Sequence, residues 1–223
     1  METRAANLAA ALAQHDIHID PDRIPPLQCY CQTLWSWNEK LNLTRHMTYD
    51  RFATRDVVDS LALAPWIPSN ARVLDAGTGG GVPGVVLAIL RPDLQMSLCE
   101  SVGKKFRAVE AIVAELGLAV TAYHARLEKL LATANFDTLV ARAIAPLPRL
   151  LAWLEPHRDR FDQLLVVKGR SWQAECQQAR IRGLLKSLQL TRISTYRTPG
   201  SHATNVILQI RRTGRGAGSV PAR

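Results

Sequence analysis

"RVLDAGTGGGVPGVVL", residues 72–87, is the stretch on which the reading of this chain turns. Val73 and Leu74 run into Asp75, four glycines fall within residues 77–81, and a second apolar run begins after Pro83 and Gly84. Strand, glycine-rich turn and helix in that order form the unit that holds nucleotide-like ligands at the carboxyl edge of a parallel sheet. Pro83 is expected in the first helical turn, where its missing N–H costs little.

Two templates fit the turn. Gly79, Gly81 and Gly84 satisfy G-x-G-x-x-G, the dinucleotide fingerprint. Asp75, Gly77, Gly79 and Gly81 satisfy D-x-G-x-G-x-G, the loop of S-adenosylmethionine-dependent methyltransferases. Asp75 separates the two. A carboxylate at the entrance of the loop adds repulsion beside a pyrophosphate, whereas S-adenosylmethionine carries an ammonium and a sulfonium and no phosphate. Glycines let the backbone approach such a ligand closely. Glu100 ends the next apolar run, 23 residues after Gly77, where a carboxylate can accept hydrogen bonds from ribose hydroxyls. That role serves both templates and marks an adenosine ribose without choosing between them.

Outward from the loop, short β-rich runs alternate with helical ones. Strands are expected at 72–76, 95–99, 119–124, 136–141, 163–167, 188–195 and 205–210, with helices near 82–90, 104–116, 126–132, 147–156 and 172–187. Crossovers of this length imply a doubly wound, mostly parallel α/β sheet covered on both faces. Only nine residues separate the last two strands, too few for a crossover, so they form an antiparallel hairpin at the sheet edge. The first 65 residues read as helical; Phe52, Val57, Val58, Leu61 and Leu63 follow a helical period that Pro65 ends. The expected organisation is an N-terminal helical extension over 1–66, a Rossmann-like domain over 67–211 with seven strands, and a basic tail over 212–223 that is disordered until it meets a partner.

The chain of 223 residues, 47% apolar and 21% charged, has the composition of a soluble domain, and no run is long enough for a membrane span. Its N-terminus reads as an amphipathic helix rather than a secretory signal. None of Cys29, Cys31, Cys99 and Cys176 forms a C-x-x-C pair and the six histidines are scattered, which points away from a zinc site or a disulfide framework and towards a reducing cytoplasm. His15 and His18, at i, i+3 on an expected helix, read as surface residues rather than metal ligands. The net charge of +9 is unevenly placed: residues 176–223 carry nine basic side chains and no acid. A local positive field of this kind attracts polyanions, and predicts salt-dependent RNA binding. A solvated basic segment is the plain alternative.

From about Trp37 to Ile210 the chain resembles the RsmG (GidB) methyltransferases, which methylate N7 of one guanine in 16S ribosomal RNA. The resemblance is carried by "WNEKLNLT" (37–44), "RDVVDSL" (55–61), "DAGTGGGVPG" (75–84), "ESVGKKFRAV" (100–109), "ARLEKL" (125–130), "ARAIAPL" (141–147) and "VVKGR" (166–170). It implies that Gly77 and Val82 line the cofactor site, with Leu127 and Glu128 on the adenine side and Arg142 reaching the same pocket. Together with Asp75, Gly79 and Glu100 these form the expected cofactor set. The resemblance also implies that Lys104, Lys105, Arg126 and Lys168 face the RNA or the target base, with 16S ribosomal RNA or the small ribosomal subunit as partner. Asp56 stands where members often have His, and Gly80 where they commonly have Pro.

Missing features agree with this chemistry. "ARAIAPLP" follows the fourth strand in place of the polar-Pro-Pro-aromatic element used on exocyclic amines, and the later strands offer no cysteine nucleophile for C5 of a pyrimidine. Guanine N7 needs neither, since its in-plane lone pair is already an acceptor. Alignment is then the enzyme's main task. Lys104, Lys105 and Arg107 open a helix, where cations oppose the macrodipole, so an anionic partner explains them better than stability does. Trp35 and Trp37 read as core residues rather than stacking platforms. The competing readings are a class I methyltransferase acting on another RNA or a small molecule, and a dehydrogenase-like nucleotide binder.

Overall fold

The computed structural model describes residues 5–213; the expectation for the basic tail falls almost wholly outside them. Seven strands form one sheet: β1 (Arg72–Ala76), β2 (Gln95–Glu100), β3 (Thr121–His124), β4 (Phe136–Arg142), β5 (Phe161–Lys168), β6 (Leu188–Arg197) and β7 (Thr204–Arg212). Their order is β3-β2-β1-β4-β5-β7-β6. The first five are parallel, and β7 runs antiparallel between β5 and β6. All seven expected strands are present, and the last two pair as the expected edge hairpin. The order reverses at β1, whose neighbours are β2 and β4, and such a switch point opens a crevice at the carboxyl ends of the strands.

Alternate residues of the strands feed opposite cores. Leu74, Ala76, Leu139, Ala141, Leu164, Val166 and Leu208 face α7 (Leu127–Leu131), α8 (Leu147–Leu154) and α9 (Trp172–Ile181). Val73, Val140, Leu165, Val167 and Ile207 pack on the other face with Leu63 and Leu87. Leu139 is fully buried, and its truncation to Ala is worth about 2–5 kcal/mol. The third core joins α1 (Leu8–Gln14) and α2 (Ile24–Asn38) to α5 (Gly84–Leu90) and α6 (Gly103–Glu115), through Leu12, Leu27, Tyr30, Leu34, Val85 and Ile112. The N-terminal helices thereby close one side of the glycine loop: the Tyr30 hydroxyl donates to Gly80 O at 3.0 Å.

Three local expectations are corrected. Pro83 is the residue before the helix rather than part of its first turn, because α5 begins at Gly84. His15 caps α1 and His18 lies beyond it, so the two do not share a helical face; each pairs with an aspartate instead, His15 with Asp50 and His18 with Asp16. The segment read as one helix before Pro65 is composite. A turn of α3 (Tyr49–Arg51) passes into a π-helix, Phe52–Val57, and then into α4 (Val58–Leu63). Val58 N–H bonds Ala53 O, five residues back. Asp56 and Asp59 are buried there beside the apolar residues, which the apolar period could not show. Trp35 and Trp37 pack against the third core as expected.

Candidate active site

The glycine loop is built by backbone that only glycine adopts easily. Gly77, Gly79 and Gly81 have φ of +67°, +60° and +110°. Asp75, 1% exposed, braces the loop from below: its Oδ2 accepts from Thr78 Oγ1 at 2.6 Å and from Gly84 N at 2.8 Å. Burial pushes its pKa up to about 6, although both hydrogen bonds work against the rise. The structure therefore gives Asp75 a different role from the expected one. It shapes the loop from the protein side and does not line the cleft above.

Glu100, at the end of β2, ties the loop to the next crossover. Its Oε2 accepts from Gly79 N at 3.0 Å and its Oε1 from Val102 N at 2.7 Å. Each carboxylate oxygen has a second lone pair, and Glu100 lines the cleft that opens above the loop. That cleft has a volume of about 490 Å³, within the roughly 300–1,000 Å³ of small-molecule sites. It brings together Gly77, Gly79, Glu100, Leu127 and Glu128 of the expected cofactor set, together with Lys105 and Arg126 of the expected RNA set. Two residues that sequence reasoning missed complete it: Arg149 and Trp153, one turn apart on α8, with the guanidinium 5.0 Å from the ring centroid.

Val82 and Arg142 lie in an adjoining recess, which shares Gly77, Gly79, Lys105 and Ala143 with the cleft. Arg142 is held from behind by two buried acids. Its Nη1 is 2.7 Å from Asp56 Oδ1 and 3.1 Å from Asp59 Oδ2. Burial lowers an arginine pKa, but the two carboxylates outweigh it and raise that of Arg142. Asp56 Oδ1 also meets His46 Nδ1 at 2.9 Å, and Asp59 Oδ1 accepts from Tyr196 OH at 2.6 Å. Asp56, the departure from the family pattern, is thus a ligand of Arg142.

Beyond Arg142 a wider groove of about 710 Å³ runs over the ends of β4, β5 and β7. Its floor includes the loop after β4, where Ala143 sits at φ +54°, an uncommon conformation for a residue with a side chain. Lys168 straps that loop down. Its ammonium, on a side chain 8% exposed, donates to Ala145 O at 2.8 Å and pairs with Glu175 Oε2 at 2.7 Å, while Glu175 Oε2 accepts from Leu147 N at 2.7 Å. Burial raises Glu175, but its hydrogen bonds from Lys168, Ser171 and Leu147 prevail and lower its pKa. Lys168, expected by resemblance to face the RNA or the target base, is a buried strap at the edge of the groove. Lys104 is exposed at the start of α6, and Arg126 is exposed at the start of α7.

The profile of the GidB family, rRNA small subunit methyltransferase G, matches residues 23–204. The chain belongs to the GidB family. Ribosomal RNA small subunit methyltransferase G of Rhodopirellula baltica is 46% identical over 191 residues, 86% of this chain and 83% of that protein. The protein of the same name from Chromohalobacter salexigens is 34% identical over 208 residues, 93% of this chain and 97% of that one. Among solved structures, M. capricolum TrmK in complex with S-adenosyl-homocysteine superposes with a TM-score of 0.54 at 12% identity, over 69% of this chain and 67% of that one, a likeness of fold alone. This GidB-family chain is an S-adenosylmethionine-dependent methyltransferase. The cleft fits the cofactor: side-chain-free backbone at Gly77 and Gly79, the Glu100 carboxylate, and apolar surface from Leu127 and Trp153.

Proposed function

We propose that this protein methylates N7 of a specific guanine in 16S ribosomal RNA, taken as the RNA or within the small ribosomal subunit. One observation carries the reading. The cofactor cleft and the wide basic groove meet over a single element, the loop after β4, with Ala143 and Ile144 lining both. A base lying in the groove beside Ala143 and Ile144 therefore borders the cofactor cleft.

The donor, when bound against Gly77, Gly79, Glu100, Leu127 and Glu128, supplies an electrophilic methyl carbon on a sulfonium. The residues around the junction fit an acceptor that needs no proton removed. Cys99, the cysteine in the cleft, has its pKa pushed up to about 12, first by burial and then by Glu100, and its Sγ–H donates to Ala125 O. It is not a thiolate nucleophile at neutral pH. The loop "ARAIAPLP" presents aliphatic side chains and backbone in place of a polar clamp for an exocyclic amine. Guanine N7 brings its own lone pair, so this chain's contribution is to hold base and donor in line. Lys105 and Arg126 at the cleft and Arg45 and Arg55 at the groove supply positive charge for the RNA backbone, whereas the charge of Arg142 is balanced by Asp56 and Asp59.

The test is transfer of labelled methyl to unmodified 16S RNA and to small subunits, followed by chain cleavage at N7-methylguanine. A single cleaved position in either substrate supports the reading. Label elsewhere on a base, or only in a small molecule, overturns it in favour of the competing methyltransferase readings.

A further inference from the structure

We infer a second anion site on this protein, in a separate cleft between the N-terminal helices and the β6–β7 turn, that grips a backbone phosphodiester of the RNA strand leaving the active-site groove. The inference rests on the proposed RNA substrate. The cleft has a volume of about 450 Å³, and His15, Arg51, Thr54, Arg55, Thr198 and Ser201 are among the residues that line it. It shares no residue with the cofactor cleft. It shares one with the groove, Arg55, which forms the wall between them.

The charge in this cleft is not used up within the fold. Arg55 makes one side-chain hydrogen bond among the described residues, from Nη1 to Thr198 Oγ1 at 3.1 Å. A guanidinium carries five N–H donors, so four remain for a ligand. The Arg51 side chain is exposed and makes no hydrogen bond or ion pair among the described residues. Asp50, the one acid in the lining, is already engaged: it accepts from Ala5 N at 3.2 Å and pairs with His15 Nε2 at 3.2 Å. Two arginines four residues apart repel on a helical segment and weaken it, so their joint placement is better explained by an anion than by stability. Thr198 and Ser201 add hydroxyls, and Gly200 at φ +67° makes the tight turn between them. Hydroxyls and forked guanidinium donors on one concave surface suit the tetrahedral oxygens of a phosphate.

Geometry also says which phosphate. A strand whose target base dips into the junction at Ala143 lies along the groove, and Arg55 is where the groove ends and the second cleft begins. The cleft therefore takes a phosphate a short distance along the strand from the methylated nucleotide. It positions the strand and reads no sequence.

The experiment compares wild type, Arg51→Gln and Arg51→Lys, none of which touches the cofactor cleft, in salt-titrated binding and steady-state methylation of 16S RNA. For Arg51→Gln the expected result is a three- to tenfold weaker RNA Kd, and a slope of log K against log[salt] shallower by roughly 0.7–0.9. The kcat at saturating RNA and the S-adenosylmethionine Kd stay at wild-type values, and Arg51→Lys restores most of the affinity and the slope. An unchanged slope and Kd in Arg51→Gln overturns the inference, and so does a glutamine-like result for the lysine variant or a loss of cofactor binding. Titration with inorganic phosphate at matched ionic strength tests the other source. Selective phosphate binding that Arg51→Gln abolishes, with the RNA slope unchanged, assigns the cleft to a free anion and overturns the RNA contact. Failure of the wild type to methylate RNA at all is a separate outcome, which removes the proposed function and this inference with it.

Discussion

Ile144, on the loop after β4, packs so closely over Gly77, on the loop after β1, that a Cβ on Gly77 would fall 2.5 Å from Ile144 Cδ1. The two loops that carry cofactor and acceptor are thus in contact through one side chain and one missing side chain. Gly77→Ala meets two penalties: an L-residue at φ +67° costs about 1–2 kcal/mol, and overpacking adds about 1–3 kcal/mol. Calorimetric titration should show S-adenosylmethionine affinity reduced at least tenfold. Adding Ile144→Ala removes the two closest overlaps, leaving a tight Cβ contact at 3.3 Å and the backbone penalty, so it should restore part of the stability and no more. Gly79→Ala is the control for stability, since no protein atom lies within 4 Å of its added Cβ and only φ +60° opposes it in the fold. Equal losses of unfolding free energy at positions 77 and 79 would count against contact between the loops.

Asp75 should make stability fall as pH rises through mild acid. Its folded pKa, about 6, lies above the ordinary 3.8. Between those values the folded state holds the proton that the unfolded state has released, so the slope of unfolding free energy with pH is negative there. The window is about pH 4 to 6, and a shift of this size corresponds to something on the order of 3 kcal/mol. Asp75→Asn keeps a carbonyl oxygen for Thr78 and Gly84 and removes the titration. Urea unfolding at pH 4, 5, 6 and 7 should show the difference between wild type and variant changing by that order, with the wild type losing ground as pH rises. Parallel curves would show that the carboxylate does not titrate in this range.

What could be read from the chain was whatever is local or periodic. Short continuous apolar runs mark β1, β4 and β5 because both faces of those strands are buried, and the short gap between the last two expected strands forces the hairpin. Glycines at 77, 79 and 81 announce their backbone directly. The partners of Arg142 were hidden because they come from residues 86 and 83 positions earlier, and buried aspartates look like surface ones in a helical pattern. Arg149 and Trp153 carried a weak signal, an aromatic residue and a cation one turn apart after β4. Lys168 was assigned to RNA or the target base by resemblance alone, because the partners of its ammonium, Glu175 and Ala145 O, are brought to it only by the fold.

Arg142 balances two carboxylates that are almost fully excluded from water, and Asp56 Oδ2 has no partner among the described residues. Replacing Arg142 with Met should leave both acids uncompensated and destabilise the fold by about 3–5 kcal/mol, as for other buried pairs that lose one member. Asp56→Asn added to Arg142→Met should recover part of this. A double-mutant cycle by urea unfolding reads the coupling, expected between about 0.5 and 3 kcal/mol. Additivity within about 0.5 kcal/mol would mean that Asp59 and not Asp56 holds the guanidinium.

The Lys168–Glu175 pair can be separated into stability and function because apolar residues can replace one and not the other. Glu175→Gln removes the charge opposite a buried ammonium and should destabilise by about 2–3 kcal/mol at pH 7, less than for a fully buried pair because 16% of the Glu175 side chain is exposed. The pKa of Glu175 is lowered from 4.5, so its contribution is complete above about pH 4.5 and is lost as pH falls through the folded value. Wild type and variant should therefore converge in strong acid. The double variant Lys168→Met with Glu175→Leu fills the same space with apolar side chains and should regain most of the stability. It cannot donate to Ala145 O or accept from Leu147 N, so the loop between cofactor and acceptor loses both anchors. Thermal unfolding near the wild-type midpoint, combined with kcat reduced at least tenfold and an unchanged S-adenosylmethionine Kd, is the expected pattern. Recovery of kcat together with stability would show that the strap only holds the fold together and does not set the alignment of the transfer.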